Sequence, residues 1–239
     1  MGAARRTANP VVSATGNDAR AQILNGIRRS LRRGELAGPA REAVETRLAT
    51  PPRGPSVARA QVPQPQKVAL FCQWAEANNA TVARVAPGEV PGAVSAYLMR
   101  NNLPADAAMA PSPLLDRYDW ASQKMLALRR GRGEGSDQVS ITGAFAGIAE
   151  TGTLVMVSGP DHPVSLNLLP DTHVVVLREL DIVADYEDIW TRLRERYGKN
   201  AMPRTVNTIT GPSRTGDIEQ AMELGAHGPR RMHIVVVRE

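Results

Sequence analysis

Five short apolar runs, at residues 139–142, 153–157, 174–177, 206–210 and 234–237, constrain this chain more than any other feature. Each holds four or five residues, mostly β-branched or aliphatic, bounded by glycine, proline or polar residues. Such runs are too short for an amphipathic helix and lack the strict alternation of a half-exposed strand, so they predict strands covered on both faces. Weaker strand patterns stand at 81–85 and 107–110, and helical spacing at 66–78, 89–102, 185–197 and 215–224. Gly225 is placed to end the last helix as a C-terminal cap. Strands alternating with helices at this spacing predict an α/β fold with a mainly parallel sheet flanked by helices. Aromatic residues make up only 4% of the chain, so aliphatic side chains must supply the packing. A stacking platform for single-stranded nucleic acid is correspondingly unsupported.

Charge divides the chain in two. Residues 1–67 carry 12 Lys+Arg against 4 Asp+Glu, and residues 68–239 carry 17 against 20. The basic excess therefore belongs to an N-terminal segment, and no nucleic-acid footprint across the main fold is expected. Residues 1–16 lack apolar periodicity and read as a loose terminus. After the caps Asn17 and Asp18, the residues Ile23, Leu24, Ile27 and Leu31 recur at helical spacing, with Arg28, Arg29, Arg32 and Arg33 opposite. This predicts a basic amphipathic helix, whose stripe either docks on a neighbouring element or meets a partner, a membrane surface or RNA. Five prolines within 51–65 predict a linker. The expected organisation is a basic helical extension over 1–50, that linker, and an α/β domain over 66–239.

Cys72 is the single cysteine. It cannot form an intrachain disulfide, nor can one thiolate hold an iron–sulfur cluster, which takes about four. No cofactor is expected in this chain. His162, His173 and His233 share no metal-ligand spacing, so no metal site is expected. No apolar run approaches the ~18 residues of a membrane span, and no secretory apolar core is present, which predicts cytoplasmic residence.

Three segments combine glycines with reactive side chains. In Gly211-Pro212-Ser213-Arg214-Thr215-Gly216-Asp217 a β-branched strand runs into a small-residue turn and then the predicted helix. Free N–H groups at that helix start, with the hydroxyls of Ser213 and Thr215 and the guanidinium of Arg214, would suit a carboxylate or phosphate. Alternatively Ser213 or Thr215 caps the helix, with Asp217 in its acidic first turn. Lysine is absent where a Walker A loop needs it, and Ser213 does not fit a nucleophile elbow. In Glu150-Thr151-Gly152-Thr153 a carboxylate stands at the entry to an apolar strand. There Glu150 could serve as acid, base or nucleophile, or accept hydrogen bonds from its own turn; Thr151 and Thr153 could orient it or the ligand, and Thr151, Gly152 and Thr153 join Ser213, Arg214, Thr215 and Asp217 as the expected ligand-binding residues. In His227-Gly228-Pro229 a tight turn presents one imidazole for proton transfer or ligand binding, or simply to solvent.

The runs GIAETGTLVM, HPVSLNLLPDTHVVVL, GPSRTGDIE and GAHGPRRMHIVVV stand in an order that resembles the LUD domain of the lactate-utilisation protein C family, clearly over 139–239 and weakly over 66–138. The resemblance implies a variant of the NagB/RpiA/CoA-transferase-like α/β fold. It also implies work beside iron–sulfur partner subunits in oxidising L-lactate to pyruvate, with a small organic anion such as a hydroxy acid as ligand. The longer B-type relatives carry cysteine motifs that this chain lacks. By fold analogy, a free-standing acyl or CoA transferase using Glu150 as nucleophile, assisted by His227 or Arg214, is the alternative.

Overall fold

The computed structural model describes residues 16–32, 34–198, 201–216 and 222–239. Contacts divide the chain into two units, residues 1–53 and 54–239. The first holds helices α1 (Gly16–Ser30) and α2 (Gly38–Ala49). Ile23 and Ile27 on α1, Leu31 just after it, and Val44 and Leu48 on α2 are exposed. Of residues 1–16, read above as a loose terminus, 1–15 lie outside the described residues, as does Arg33, while Gly16 begins α1.

The second unit is built on a six-stranded sheet in the order β1-β12-β7-β4-β2-β3, with every neighbouring pair parallel. Its strands are β1 (Thr81–Val85), β2 (Asp106–Met109), β3 (Ala127–Arg130), β4 (Val139–Gly143), β7 (Thr172–Arg178) and β12 (Arg231–Val237). The parallel α/β architecture is thus the one expected. Alternation along β7 explains its unbroken apolar run. Val174 and Val176 face one core with Val94 and Leu98 of α4 (Val90–Arg100), while Val175 and Leu177 face another with Val68 and Phe71 of α3 (Gln64–Ala77). With a helix on each face there is no polar side for the strand to show.

A second sheet has the order β8-β5-β6-β9, from β5 (Ala146–Ile148), β6 (Thr153–Val157), β8 (Ile182–Val183) and β9 (Val206–Ile209). Here β6 runs antiparallel to both β5 and β9. Helix α6 (Tyr186–Tyr197) packs Ile189 and Leu193 into the core that contains Ile148, Val155 and Val183. Asp185 starts this helix, its Oδ1 accepting from the Asp188 N–H at 3.1 Å. The short helix α5 is Ser165–Leu168.

Three expectations need correction. The runs at 153–157 and 206–210 are strands, but they sit in the second sheet rather than among the parallel strands, with β9 at its edge. The helix expected at 215–224 does not appear in its described residues: β10 (Arg214–Gly216) and β11 (Met222–Leu224) pair antiparallel instead, and 217–221 lie outside the described residues. Cross-strand backbone pairing there replaces the local bonds that the capping signals suggested. Finally, much of the proline-rich stretch belongs to the second unit. Ala60 is fully buried, and Gln61 and Gln64 donate to Asp185 and to the Glu179 and Ile182 carbonyls. Pro65 falls in the first turn of α3, where its missing N–H costs nothing.

Candidate functional site

The turn between β5 and β6 carries Glu150, Thr151 and Gly152, and it sits on the C-terminal end of α3. Asn78, just past that helix, donates to the Thr151 carbonyl at 3.2 Å. Arg59 donates to the Glu150 carbonyl at 3.1 Å and lies over the Trp74 ring. The Glu150 side chain is buried, 7% exposed, and has no hydrogen bond or ion pair with the described residues. Thr153 is fully buried, and its Oγ1 meets Thr151 Oγ1 at 2.7 Å, Thr210 Oγ1 at 2.7 Å and Tyr186 OH at 3.2 Å. One hydroxyl offers one donor and two acceptor positions, so those three partners use all of its capacity. Thr153 therefore ties β6, β9 and α6 together, and a ligand could reach its oxygen only by displacing one of them.

The other two predicted segments meet at Ser213. Its N–H donates to the Pro229 carbonyl at 2.8 Å, its carbonyl accepts from the Gly225 N–H at 3.0 Å, and its Oγ accepts from the His227 N–H at 3.3 Å. Thr215 is half-buried, whereas the side chains of Arg214 and His227 are exposed. Asp217 lies outside the described residues. The Thr153–Thr210 contact thus joins the first segment to the second, and Ser213 joins the second to the third. No hydrogen bond or ion pair among the described residues links the Glu150 carboxylate to Ser213 or His227. With β10 in place of a helix, Gly211–Thr215 also lacks the helix start that was to hold an anion.

A cavity of about 930 Å³ opens instead past the carboxyl ends of the parallel strands. Its wall takes Ser112–Leu114 from beyond β2, Gly143–Phe145 from the end of β4, Arg178 and Asp181 from the end of β7, and Ser158–His162 from beyond β6. Arg192 and Arg196, one turn apart on α6, add a fifth contribution. Strand carboxyl ends are where open parallel sheets bind ligands. Arg117, Arg178, Arg192 and Arg196 face Asp161, Asp181 and Glu195 in the lining, one positive charge in excess. Asp181 holds Arg178 at 2.6 Å and Arg192 at 3.4 Å, while Glu239 holds Arg117 at 3.2 Å. Arg196 has no carboxylate partner among the described residues, and its guanidinium lies 5.5 Å from the centre of the Phe145 ring. An organic anion entering here meets one unneutralised guanidinium beside three braced ones.

Beneath the cavity lies a buried polar group. His162 lines it at 8% exposure, and its Nε2 donates to Asn167 Oδ1 at 2.9 Å. Burial lowers the His162 pKa, against the opposing effect of that hydrogen bond. His173 is fully buried, its Nε2 hydrogen-bonded to Thr142 Oγ1 at 2.7 Å. Among the described residues no group of three or more His, Cys, Asp or Glu is arranged to hold a metal ion, and no helix is long and apolar enough to cross a membrane.

Residues 69–237 match the family model of the LUD domain. The chain belongs to that family. A lactate utilization protein C from Deinococcus radiodurans is 31% identical over 164 residues, covering 66% of this chain and 74% of the relative. One from Shouchella clausii is 31% identical over 99 residues, and an uncharacterised protein from Neisseria meningitidis is 38% identical over 97. Those two alignments span 43% and 40% of the relatives, about two fifths of their length. A crystal structure of a DUF162 family protein from Deinococcus radiodurans shares the fold, with a TM-score of 0.55 and 22% identity, covering 74% of this chain and 99% of that one.

Sequence reasoning missed the arginine-lined cavity of this LUD domain. Arg192 and Arg196 stand four residues apart on a helix that was predicted, a spacing that puts both on one face. Applying the strand-end rule to the runs at 139–142 and 174–177, rather than to 206–210, would have led to Gly143–Phe145 and to Arg178. His162, three residues before a helix too short to show periodicity, carried no such signal.

Proposed function

We propose that this LUD domain protein acts in lactate utilisation, as a component that works with iron–sulfur partner subunits in the oxidation of L-lactate to pyruvate. The observation that carries this reading is the 31% identity with the Deinococcus lactate utilization protein C across 74% of that relative. One thiol cannot hold a cluster, so in this reading electrons pass through other chains. The part of this chain is to hold a small organic anion, such as a hydroxy acid, in the cavity beside Arg196 and His162. Deleting the gene is expected to abolish growth on L-lactate as sole carbon source and leave growth on glucose intact, with the wild-type copy restoring it. Unchanged growth on lactate would overturn the reading, and lactate oxidation by the purified chain alone would overturn its need for partners.

One observation favours a second reading: a carboxylate, Glu150, held nine-tenths buried without a partner among the described residues. In acyl transfer its oxygen would attack the carbonyl of an acyl-CoA, forming an acyl-glutamyl anhydride as the carbon–sulfur bond breaks and CoA thiolate leaves. Thr151, Gly152, Thr153, Ser213, Arg214, Thr215 and Asp217 would then bind the ligand, with His227 or Arg214 assisting. Incubation with acyl-CoA is expected to give an adduct released by hydroxylamine and absent in Glu150→Gln. No adduct on the wild type removes this reading.

A further inference from the structure

The LUD fold is complete without the basic extension. The family match begins at residue 69, and 74% of this chain covers 99% of the Deinococcus structure that shares the fold. Helix α1 nevertheless carries an ordered surface of its own. At about 100° per residue, Ile23, Leu24 and Ile27 fall within one sector of about 100°. Leu31, whose N–H still donates to the Ile27 carbonyl at 2.9 Å, extends that stripe by a turn. Leu24 is half-buried, but Ile23, Ile27 and Leu31 are 64%, 49% and 57% exposed. Arg28 and Arg29 stand in the adjoining sector, and with Arg32 they line an open recess beside Gln22 and Asn25. Arg28 donates to Asn25 Oδ1 at 3.0 Å, and none of the three arginines has a carboxylate partner among the described residues.

We infer that α1 is a docking helix for a protein partner that offers an apolar groove with an acidic rim. The groove takes Ile23, Ile27 and Leu31, and carboxylates along its edge meet Arg28, Arg29 and Arg32. Charge decides against a second copy of the helix. Residues 16–32 carry four arginines against one aspartate, so two such helices laid face to face would set like charges together. Composition decides against a lipid surface. No aromatic residue occurs before Phe71, whereas helices that lie in a membrane interface carry Trp or Phe on the apolar side. An RNA would meet the arginines and leave the aliphatic stripe uncovered. Helix α2 lacks this signature, because its Arg41 is already held by Glu45 at 2.7 Å. The inference rests on the reading that the chain works with iron–sulfur subunits, and it names the surface by which one of them is held.

Calorimetric titration of the full chain with the purified iron–sulfur subunit of the same lactate-oxidising system tests this. The substitutions lie in the unit of residues 1–53, so none of them touches the core of the α/β unit. The wild type is expected to bind, and more weakly as salt rises from about 50 to about 500 mM. Ile27→Asp, which would carry an unpaired charge into the groove, should weaken binding at least roughly tenfold, and Ile27→Leu should stay within about twofold. Arg28→Glu together with Arg29→Glu should weaken binding and remove its loss with salt. Should Ile27→Asp bind as tightly as the wild type, the docking helix is refuted and the partner reading survives. Should the wild type not bind the subunit, both fall. Two other results would refute the docking helix by giving the stripe a different occupant: a wild-type dimer in light scattering that Ile27→Asp makes monomeric, or sedimentation with phosphatidylglycerol vesicles that Ile27→Asp abolishes.

Discussion

Gly152→Ala is expected to destabilise the unit of residues 54–239 by about 3 kcal/mol, the sum of a left-handed backbone and an overpacked contact. Gly152 has φ +66°, and a Cβ there would lie 2.3 Å from the Ala75 nitrogen and 2.6 Å from the Trp74 carbonyl carbon. Both atoms are main chain of α3, held by the helix ladder, so no side-chain rotation relieves the clash. Gly211 makes the same demand, with φ +68° and a Cβ position 2.1 Å from the Asn78 oxygen. Two strands of the second sheet thus rest their ends on one helix terminus, each through a residue that only glycine can supply. Thermal unfolding should show a fall of roughly 6–12 °C for Gly152→Ala. Gly135→Ala, where nothing lies within 4 Å of the added carbon, serves as control and should stay within roughly 0.5 kcal/mol of the wild type. Because Gly152 and Gly211 press on the same turn, their double variant should lose less than the sum of the two. A melting temperature for Gly152→Ala equal to that of the control would show that the end of α3 can yield, and the rigid seat described here would be wrong.

Strand positions were legible in this chain, and sheet membership was not. The runs at 153–157 and 174–177 are equally apolar, and both strands are almost wholly buried, yet they belong to different sheets. Apolar continuity reports that a strand is covered and says nothing about which backbone it pairs with. The strand that decides the matter is β5, Ala146–Ile148, whose Ala-Gly-Ile carries little strand propensity. It follows β4 after two residues, whose N–H groups already split their bonds between the sheets: Ala144 donates to Val176 of β7 and Phe145 to Val155 of β6. Around 215–224 the local signals did mislead. Thr215 and Gly225 fit the two ends of a helix, but Gly225, at φ +85°, follows a strand and donates to the Ser213 carbonyl. The candidate site suffered from the same limit. Glycine-rich motifs drew the reading to 150–153 and 211–217, where the glycines permit close packing, while the arginines of the cavity come from α6, the end of β7 and the segment beyond β2, and meet only in three dimensions.

Acid should destabilise this protein well before its carboxylates titrate. His173 is fully buried, its Nε2 on Thr142 and its Nδ1 without a partner; burial, with a smaller contribution from His162, pushes its pKa down to about 3. His233 stacks on Tyr97 at 3.9 Å, with its Nδ1 on Thr81 at 2.8 Å and its Nε2 unpartnered; burial, then the charge of Arg100, lowers its pKa to about 4. Protonation would put a second N–H on each ring with nothing to receive it. Both folded values lie below the ordinary 6.5, so between them and 6.5 the unfolded chain binds protons that the native state refuses. Stability is therefore complete above about 6.5, falls as the pH drops through that value, and levels off near the two folded values. At about pH 5 the loss is roughly 2 kcal/mol for each ring. For Asp137, burial raises the pKa, but the hydrogen bonds from Arg129 and the Glu134 N–H outweigh it. Its contribution is thus lost only below 3.8, outside this window. Urea unfolding at about pH 7 and about pH 5 should show a drop of roughly 4 kcal/mol from these two rings, to which His162, its pKa also lowered by burial, adds, and His233→Phe, which keeps a ring against Tyr97, should show a drop about 2 kcal/mol smaller than the wild type. The same drop in that variant as in the wild type would mean that His233 takes up its proton in the folded state, and that the stacked, half-satisfied ring is no obstacle to charge.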